Sequence, residues 1–313
     1  MELRQLRHFL EVADNASFCQ AAEKLHITQP ALSKSIRNLE IFLDVMLLER
    51  HPGGVQMTKY GEVLHRYATL VTTELDRAKI EIDGMRGRGT GLIRVGAGVS
   101  LLKYLLPPTV RSFIAQDPDH QVQVCQGLRD RLLPMLRRGE LDLVIGSVNP
   151  GNVPDDLRQE ILCEDKLTVV CSDGHRLAGQ TGVTVQDLKN YKWVMPDTSS
   201  EPEGDRLVRL FKRAGLEPPQ TVVRTGSSIF MASLLRDSDY LSYVPSALLN
   251  ADPEYAHLRA VDTEPIWDNV FLGVSWRKKG VVLPGVRRFV KTLKETCQEL
   301  EENRGSAKLL ADA

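Results

Sequence analysis

The sequence predicts an α/β protein in three parts: a small helical N-terminal domain, one long helix, and a larger domain of strands and helices. Three observations support this prediction. Apolar residues recur at helical spacing over residues 3–43, and a sustained apolar seam follows over residues 58–87. Beyond residue 91, short strand-like runs alternate with helical patterns. At 313 residues and 42% hydrophobic content, the chain is long enough for two or three globular domains.

The N-terminal domain begins with a predicted helix over residues 3–15, followed by two short helical patterns with a tight break between them. Ser17 precedes the first of these patterns and fits as its N-cap. Thr28 fits as the N-cap of the second, and Pro30 lies in its first turn, where a missing N–H costs nothing. This is the layout of a helix-turn-helix, whose second helix enters the major groove of DNA.

The second helix has a polar face that can reach both phosphates and base edges. Two short strands, residues 46–50 and 55–57, flank Pro52-Gly53-Gly54 and predict a wing, whose tip either contacts DNA or is a solvated hairpin. The predicted DNA-contacting residues are Ser17, Thr28, Gln29, Pro30, Ser33, Lys34, Arg37, Arg50 and His51. Their local placement must supply the affinity, because the net charge of the whole chain is −1.

A single long helix is predicted over residues 58–87, and a glycine-rich hinge follows it at residues 86–91. Its apolar positions recur at steps of three and four, and the predicted seam is Leu64, Tyr67, Val71, Leu75, Ala78 and Ile82. A helix of about thirty residues is ~45 Å long, more than a domain of some sixty residues can cover. We therefore expect a helix from a second chain to cover this seam.

The larger domain is predicted to contain parallel sheets, because strands and helices alternate along it. The strand candidates are residues 92–96, 121–126, 142–146, 166–172, 192–195, 221–225, 241–244 and 270–276. The helix candidates are residues 101–116, 130–138, 202–214, 229–236 and 284–302, and a frayed polar tail is expected from residue 303.

Three loops directly ahead of predicted helices carry hydroxyl side chains. These hydroxyls belong to Ser100, to Thr198, Ser199 and Ser200, and to Ser227 and Ser228. Each can cap its helix, and the free N–H groups and helix dipole there favour an anion. In open α/β sheets such loops lie where ligands bind, although a cap facing solvent would explain the same residues. Arg129 is either a carboxylate anchor at this edge or a surface arginine.

The sequence gives little support for an enzyme. Gly96-Ala97-Gly98 follows a predicted strand, but it lacks the third glycine of a dinucleotide-binding turn, and no hydrolase or P-loop motif occurs. The five cysteines have no metal-ligand spacing, so we expect free thiols, no metal and no cofactor. No signal peptide or membrane-spanning run is present, which predicts a cytoplasmic protein without a membrane partner. A cytosolic small-molecule-binding protein or an enzyme with a nucleotide-type cleft is the alternative function.

The N-terminal stretch closely resembles the DNA-binding domain of the LysR-type transcriptional regulators, a bacterial family. The matching residues are Leu6, Phe9, Val12, Ser17, Phe18, Ala21, Ala22, Leu25, Gln29, Pro30, Ala31, Leu32, Ser33, Ile36, Leu39, Glu40, Leu43, Leu47, Glu49, Arg50, Thr58 and Gly61. The sequence departs from the family pattern at Met46-Leu47-Leu48 and at His51-Pro52-Gly53-Gly54.

This resemblance implies a winged helix-turn-helix DNA-binding domain over residues 1–58, a dimerisation linker helix and hinge over residues 59–90, and a flexible tail over residues 303–313. Residues 91–302 would form an effector-binding domain similar to periplasmic binding proteins. Its lobe I would comprise about residues 91–163 and 266–302, and its lobe II about residues 164–265. The effector pocket would then be lined by Ser100, Leu101, Arg129, Gly146, Thr198, Ser199, Ser200, Ser227 and Ser228.

The function implied by the resemblance is DNA-binding transcriptional regulation under the control of a small-molecule inducer. The helix starts at the predicted pocket favour an anionic inducer. By analogy with the family, the protein would act as a homodimer or homotetramer on double-stranded operator DNA, with RNA polymerase as a further partner.

Overall fold

The computed structural model describes residues 1–52, 54–85, 91–197, 205–264, 266–267, 270–279 and 282–311. The predicted hinge at residues 86–90, the wing residue Gly53, the hydroxyl run Thr198 to Ser200 and Pro265 at the predicted lobe boundary lie outside these residues. The chain forms two compact units, one built mainly from residues 1–91 and the other mainly from residues 92–313.

The first unit starts with three helices, α1 (Leu3–Asn15), α2 (Phe18–Lys24) and α3 (Gln29–Leu43). The predicted caps are confirmed: the hydroxyl of Ser17 accepts from the N–H of Gln20, and that of Thr28 accepts from the N–H of Ala31. The buried faces of the three helices enclose one apolar core made of Phe9, Val12, Phe18, Ala21, Ala22, Leu32, Ile36, Leu39, Leu47 and Leu48. Packing on this core leaves the opposite face of α3 exposed.

The wing is a two-stranded antiparallel hairpin of β1 (Leu48–His51) and β2 (Gly54–Met57), as the sequence predicts. The side chain of Glu40 on α3 accepts from the N–H groups of Leu47 and Leu48, and thereby ties the start of the wing to α3. Because one carboxylate oxygen satisfies two backbone donors, the entry of β1 is held at a defined position.

The long helix α4 (Lys59–Met85) confirms the predicted linker helix. Tyr67, Val71, Leu75 and Ile82 are exposed along it, as an uncovered apolar seam requires. Leu64 is the exception, because it packs against the apolar core of its own unit. The prediction that Leu64 belongs to the seam is therefore wrong.

The second unit contains two five-stranded sheets. The first consists of β3 (Gly91–Ala97), β4 (His120–Gln126), β5 (Leu143–Val148), β6 (Leu157–Asp165) and β12 (Val270–Arg277), in the order β4-β3-β5-β12-β6. β3 runs parallel to β5, but β12 is antiparallel to both β5 and β6. The sequence does not predict β6, because this strand lies at the sheet edge and carries charged residues at two of its exposed positions, Arg158 and Glu164.

The second sheet consists of β7 (Leu167–Ser172), β8 (Lys192–Pro196), β9 (Thr221–Thr225), β10 (Tyr240–Pro245) and β11 (Leu258–Ala260), in the order β11-β7-β10-β8-β9. Parallel pairing is confined to β10 with β8 and β8 with β9, whereas β7 is antiparallel to β10 and β11. The predicted parallel sheets are therefore mixed sheets, because β7 and β12 follow strands rather than helices. We call the first sheet with its helices lobe I and the second lobe II.

Lobe I carries α5 (Val99–Tyr104), α6 (Leu106–Gln116), α7 (Arg129–Arg137) and α12 (Pro284–Ala311). One helix was predicted over residues 101–116, but two helices meet there at Leu105. Pro107 and Pro108 are in the first turn of α6, where they lack the N–H groups that would continue α5. The backbone of α12 is helical past residue 303, where the sequence predicted a tail, because arginine, alanine, lysine and leucine are good helix formers.

Lobe II carries α8 (Val185–Leu188), α9 (Arg206–Arg213), α10 (Ser228–Arg236) and α11 (Ser246–Ala251), with a 3-10 turn at Pro253–Tyr255. The sequence does not predict the short helices α8 and α11. α5 of lobe I packs against α11 and the 3-10 turn of lobe II, so their apolar side chains belong to one core. Within the described part of the chain, no helix is long and apolar enough to cross a membrane.

Candidate functional site

The exposed face of α3 forms the first candidate site. Gln29, Pro30, Lys34 and Arg37 are exposed on it, and Ser33 is half-buried. Over the described residues, neither Lys34 nor Arg37 makes an ion pair, so both cations are available to an external anion. An exposed helix face with amide and cationic side chains can bind base edges and phosphates together.

A hydrogen bond from α1 helps to hold the orientation of α3 from the side opposite its exposed face. Nδ1 of His8 on α1 lies 2.7 Å from the hydroxyl of Ser35, one residue beyond Lys34. Burial, with a smaller contribution from Arg4, lowers the pKa of His8. His8 is therefore neutral at physiological pH, and its bond to Ser35 does not change with pH in that range.

The wing carries two of the predicted DNA-contacting residues, Arg50 and His51. The guanidinium carbon of Arg50 lies 4.7 Å from the centroid of the Phe18 ring. His51 is exposed at the end of β1, where its Nε2 lies 3.6 Å from the carboxylate of Glu49. The structure thus brings Arg50 and the N-terminus of α2, with Ser17, to the same side of this unit.

The second candidate site is a cavity of about 310 Å³ that lies between the two lobes. Of the residues that were predicted to line it, Ser100, Leu101, Arg129, Gly146, Ser227 and Ser228 all do so. Thr198, Ser199 and Ser200 lie outside the described residues. Most other wall positions are apolar, so the cavity combines an apolar body with a few polar groups.

The hydroxyl groups at the cavity are placed differently from the prediction. Ser227 caps α10 by accepting from the N–H of Phe230, as expected. Ser100 is the second residue of α5 and not its cap, because the N-cap position is Gly98. α9 was predicted to start near residue 202, but it starts at Arg206, and its cap is Asp205. Of the described helix starts at the cavity, only that of α10 therefore has the predicted hydroxyl cap.

Arg129, for which the sequence left open a carboxylate anchor or a surface arginine, lies on the lobe I wall of the cavity. Its guanidinium donates to the backbone carbonyl of Ser147 at 3.1 Å. Gly146, next to Ser147, also lines the cavity, and an added Cβ there would meet no atom within 4 Å. Gly146 therefore leaves space at this wall that a side chain could occupy.

Sequence reasoning missed a cationic residue on the lobe II wall, Arg206. Only 7% of this side chain is exposed, although it is the first residue of α9. Leu207, Leu210 and Phe211 form the buried stripe of α9, and Arg206 falls on the same stripe at an i, i+4 spacing from Leu210. The sequence signal that could have identified Arg206 was a cation at an apolar position of an amphipathic helix.

Sequence reasoning also missed the buried polar groups where the lobes meet. Asp165, 8% exposed, ends β6 and accepts from the hydroxyl of Tyr104 on α5 at 3.2 Å. Tyr255 of lobe II is fully buried at the cavity, and burial raises its pKa to about 12 despite the nearby Lys103. Tyr255 is therefore neutral at physiological pH. The sequence alone could not identify these groups, because they come together only where the two lobes make contact.

Lys103 joins the two lobes behind the cavity wall. Its ammonium group donates to Asp252 and to Glu254 of lobe II, and lies 5.6 Å from the Tyr255 ring. Burial opposes the charge on Lys103, but hydrogen bonds and attraction to both carboxylates outweigh it and raise the pKa of Lys103. The helix that presents Ser100, Leu101 and Tyr104 to the cavity is therefore tied to lobe II by an ion cluster.

Comparison with known proteins identifies both units. Residues 3–62 match the family described as bacterial regulatory helix-turn-helix protein, lysR family, and residues 86–298 match the LysR substrate binding domain. The HTH-type transcriptional regulator PcaQ of Agrobacterium fabrum is 32% identical over 253 residues, 80% of this chain and 81% of PcaQ. The regulator GbpR of Azospirillum brasilense is 27% identical over 298 residues, 94% of this chain and 86% of GbpR.

Solved structures agree with this assignment at the level of the fold. Full-length CbnR in complex with its target DNA has a TM-score of 0.72 and 21% identity, covering 95% of this chain and 100% of CbnR. A full-length BenM variant has a TM-score of 0.56 and 25% identity, covering 97% of each chain. The chain therefore belongs to the LysR family and is a DNA-binding transcriptional regulator, with a helix-turn-helix domain and a substrate-binding domain, and not an enzyme.

Proposed function

We propose that this regulator binds an operator through α3 and the wing, and that an organic anion in the cavity controls its activity. Gln29 lies at the start of α3, where recognition helices contact bases, and Arg37 follows two turns later. Lys34 and Arg50 bind phosphates. Such a protein acts on chromosomal DNA, so we place it in the bacterial cytoplasm.

The operator-binding form is a homodimer or homotetramer. The exposed seam of Tyr67, Val71, Leu75, Ala78 and Ile82 supports this proposal, because apolar residues at this spacing pack against a partner helix. A two-fold assembly would match an operator with two half-sites related by a dyad. Changes in this assembly upon effector binding would then alter DNA bending and recruitment of RNA polymerase.

The observation that carries the effector proposal is the pair of guanidinium groups on opposite lobes. Arg129 belongs to lobe I and Arg206 to lobe II, and both line the same cavity. A carboxylate between them accepts paired N–H bonds, and the N-terminus of α10 adds a favourable dipole. Asp165 and Asp197 also line the cavity. Their carboxylates would accept from a hydrogen-bond donor on the ligand, and the apolar wall would contact an apolar body. We therefore expect an organic acid with both features to bind more tightly than an inorganic anion.

The test is a thermal-shift screen of the full-length protein against small organic carboxylates, with matched amines and neutral amides. A carboxylate at 100 times its Kd stabilises the folded state by ~2.7 kcal/mol, which raises Tm by several degrees. Arg206→Met is expected to abolish this rise. Lys212→Met, an exposed cation on the same helix, is the control and should retain it. A cationic or uncharged apolar ligand that stabilises both variants equally would contradict the proposal.

A further inference from the structure

The wing is anchored to the turn that precedes α2 at its second strand. The N–H of Val55 donates to the carbonyl of Ala16 at 2.9 Å, and Val55 is paired with Arg50 across the hairpin. Gly54, at a φ of +130°, lets the strand approach this carbonyl, because a Cβ there would lie 2.8 Å from the oxygen. The backbone therefore brings Arg50 close to Phe18, two residues beyond Ala16.

The Phe18 ring supports the guanidinium of Arg50 at a distance of 4.7 Å. Phe18 is held by the core of this unit and is 9% exposed, whereas Arg50 is exposed. A cation over a ring face is held without using a hydrogen-bond donor, so the five N–H groups of the guanidinium remain able to bind an anion. Over the described residues, Arg50 makes no hydrogen bond or ion pair that would occupy these donors.

We infer that Phe18 is a positioning residue for DNA binding, which acts by holding Arg50 in the conformation that binds a phosphate. The inference rests on the proposed role of Arg50 as a DNA contact. A free arginine side chain on a hairpin loses its rotational freedom when it binds DNA. An arginine already ordered on a ring loses less, so the complex forms with higher affinity. Phe18 thus contributes to DNA affinity without touching DNA.

The experiment is a double-mutant cycle on full-length protein, with Kd measured by fluorescence anisotropy on a DNA site selected from a random pool by the wild-type protein. The four proteins are wild type, Phe18→Leu, Arg50→Ala and the double variant. We expect Phe18→Leu to raise Kd about three-fold when Arg50 is present and to have no effect in the Arg50→Ala protein. Such a coupling corresponds to ~0.7 kcal/mol at 1.4 kcal/mol per tenfold.

Salt dependence separates positioning from damage to the fold. Arg50→Ala should reduce the slope of log K against log salt by about 0.9, the value for one phosphate contact, and Phe18→Leu should reduce it by part of that amount. Phe18→Tyr retains the ring and should restore both the affinity and the slope. Phe9→Leu is the matched control, because Phe9 is a fully buried ring of the same core that does not touch Arg50. It should lower Tm and leave the slope unchanged.

The outcomes distinguish the proposed DNA contact of Arg50 from the proposed positioning role of Phe18. If Arg50→Ala changes neither Kd nor the salt slope, the proposed DNA contact of Arg50 is wrong, and the inference fails with it. If Arg50→Ala weakens binding but Phe18→Leu has the same effect with and without Arg50, only the positioning role is overturned. Equal coupling of Arg50 to Phe9→Leu would also overturn it, because the effect would then come from the core.

Discussion

The recognition face of α3 and the cavity between the lobes are both binding surfaces, but they are assembled in opposite ways. The α3 face is formed by residues within a single helix, Gln29–Leu43, and each side chain is exposed because its neighbours on the opposite side are buried. The cavity combines residues that are distant in sequence, from Gly98 to Ser275. A local surface follows from helical periodicity, whereas a cavity depends on how separate elements pack.

This difference predicts how mutations act. A substitution on α3 should change one contact and leave the fold intact, because its exposed side chains support nothing else. A substitution at the cavity should change ligand binding and lobe contact together, because Tyr104 and Lys103 of α5 also bond to residues beyond their own helix. The following experiments test this contrast, in order of decreasing expected effect.

The largest effect is expected from Val71→Asp combined with Leu75→Asp in the seam of α4. Two unpaired charges buried in a helix pair cost several kcal/mol, so the assembly should dissociate and operator binding should fall more than a hundredfold. Light scattering measures the mass of the assembly, and fluorescence anisotropy measures the DNA affinity. Thr73→Asp is the control, because residue 73 points about 200° away from residue 71 around the helix. An unchanged mass for the double variant would mean that the seam packs within its own chain.

The next effect is expected on α3 itself, where Gln29→Ala and Lys34→Ala should behave differently. Loss of Gln29 should cost ~1–3 kcal/mol on the selected site and relax specificity at one base pair. Loss of Lys34 should weaken specific and random DNA alike and lower the salt slope by about one. Binding to both DNA types at several salt concentrations separates them. Wild-type affinity in the Gln29→Ala protein would rule out its proposed base contact.

At the cavity, Gly146→Val should block ligand binding without unfolding the protein. An added Cβ at Gly146 meets no atom within 4 Å, so the new side chain is expected to occupy the space proposed for the effector. The ligand-induced rise in Tm should disappear, while Tm without ligand and operator affinity stay near wild type. Gly273→Val is the contrasting variant, because a Cβ there would lie 2.7 Å from the carbonyl oxygen of Glu160. Gly273→Val should therefore destabilise lobe I. If Gly146→Val retained the ligand-induced rise in Tm, the ligand would bind elsewhere.

Lys103→Met tests the tie between the lobes through pH. It should lower the free energy of unfolding by about 1–2 kcal/mol, because Asp252 loses its cationic partner while its side chain is only 9% exposed. The pKa of Lys103 is raised in the folded state, so this stabilisation is complete below the ordinary lysine pKa and is lost as pH rises through the raised value. The difference in Tm from wild type should be constant from pH 7 to 9 and shrink above about pH 10.5.

Lys291→Met provides the control for this measurement, because the pair of Lys291 with Glu295 is exposed and worth only ~0.3 kcal/mol. Its Tm should stay near the wild-type value over the whole pH range. A pH-independent deficit in Lys103→Met would indicate lost packing rather than a lost ion pair.

The smallest effect is expected for two helix caps, one in each unit. Thr28→Ala and Ser227→Ala should each cost roughly 0.5–1 kcal/mol, since each hydroxyl satisfies one N–H at 3.3 to 3.4 Å. Thr28→Ala should weaken DNA binding only, and Ser227→Ala should weaken the ligand response only. A loss of DNA affinity in Ser227→Ala would show that a change at the cavity also alters the DNA-binding surface.

Local patterns account for what could be predicted about the fold. The N-caps Ser17 and Thr28, the wing and the long linker helix all depend on neighbours within a few residues, and all were predicted. The edge strand β6 was missed, because its charged exposed positions hide the strand pattern. The mixed pairing was missed for another reason: strand direction is decided by how the chain returns to the sheet. β12 pairs with β5 although more than a hundred residues separate them.

By itself, the sequence determined the surface that we propose for DNA, because helical periodicity decides which face of α3 is buried and which is exposed. The resemblance of the sequence to the LysR-type regulators also implied six of the residues that line the cavity. Only the tertiary structure decided that Leu64 faces its own core and that Arg206 faces the cavity. Only it placed Phe18 beneath Arg50. These are contacts between elements, and helical or strand periodicity states which side of an element is buried but not what covers it.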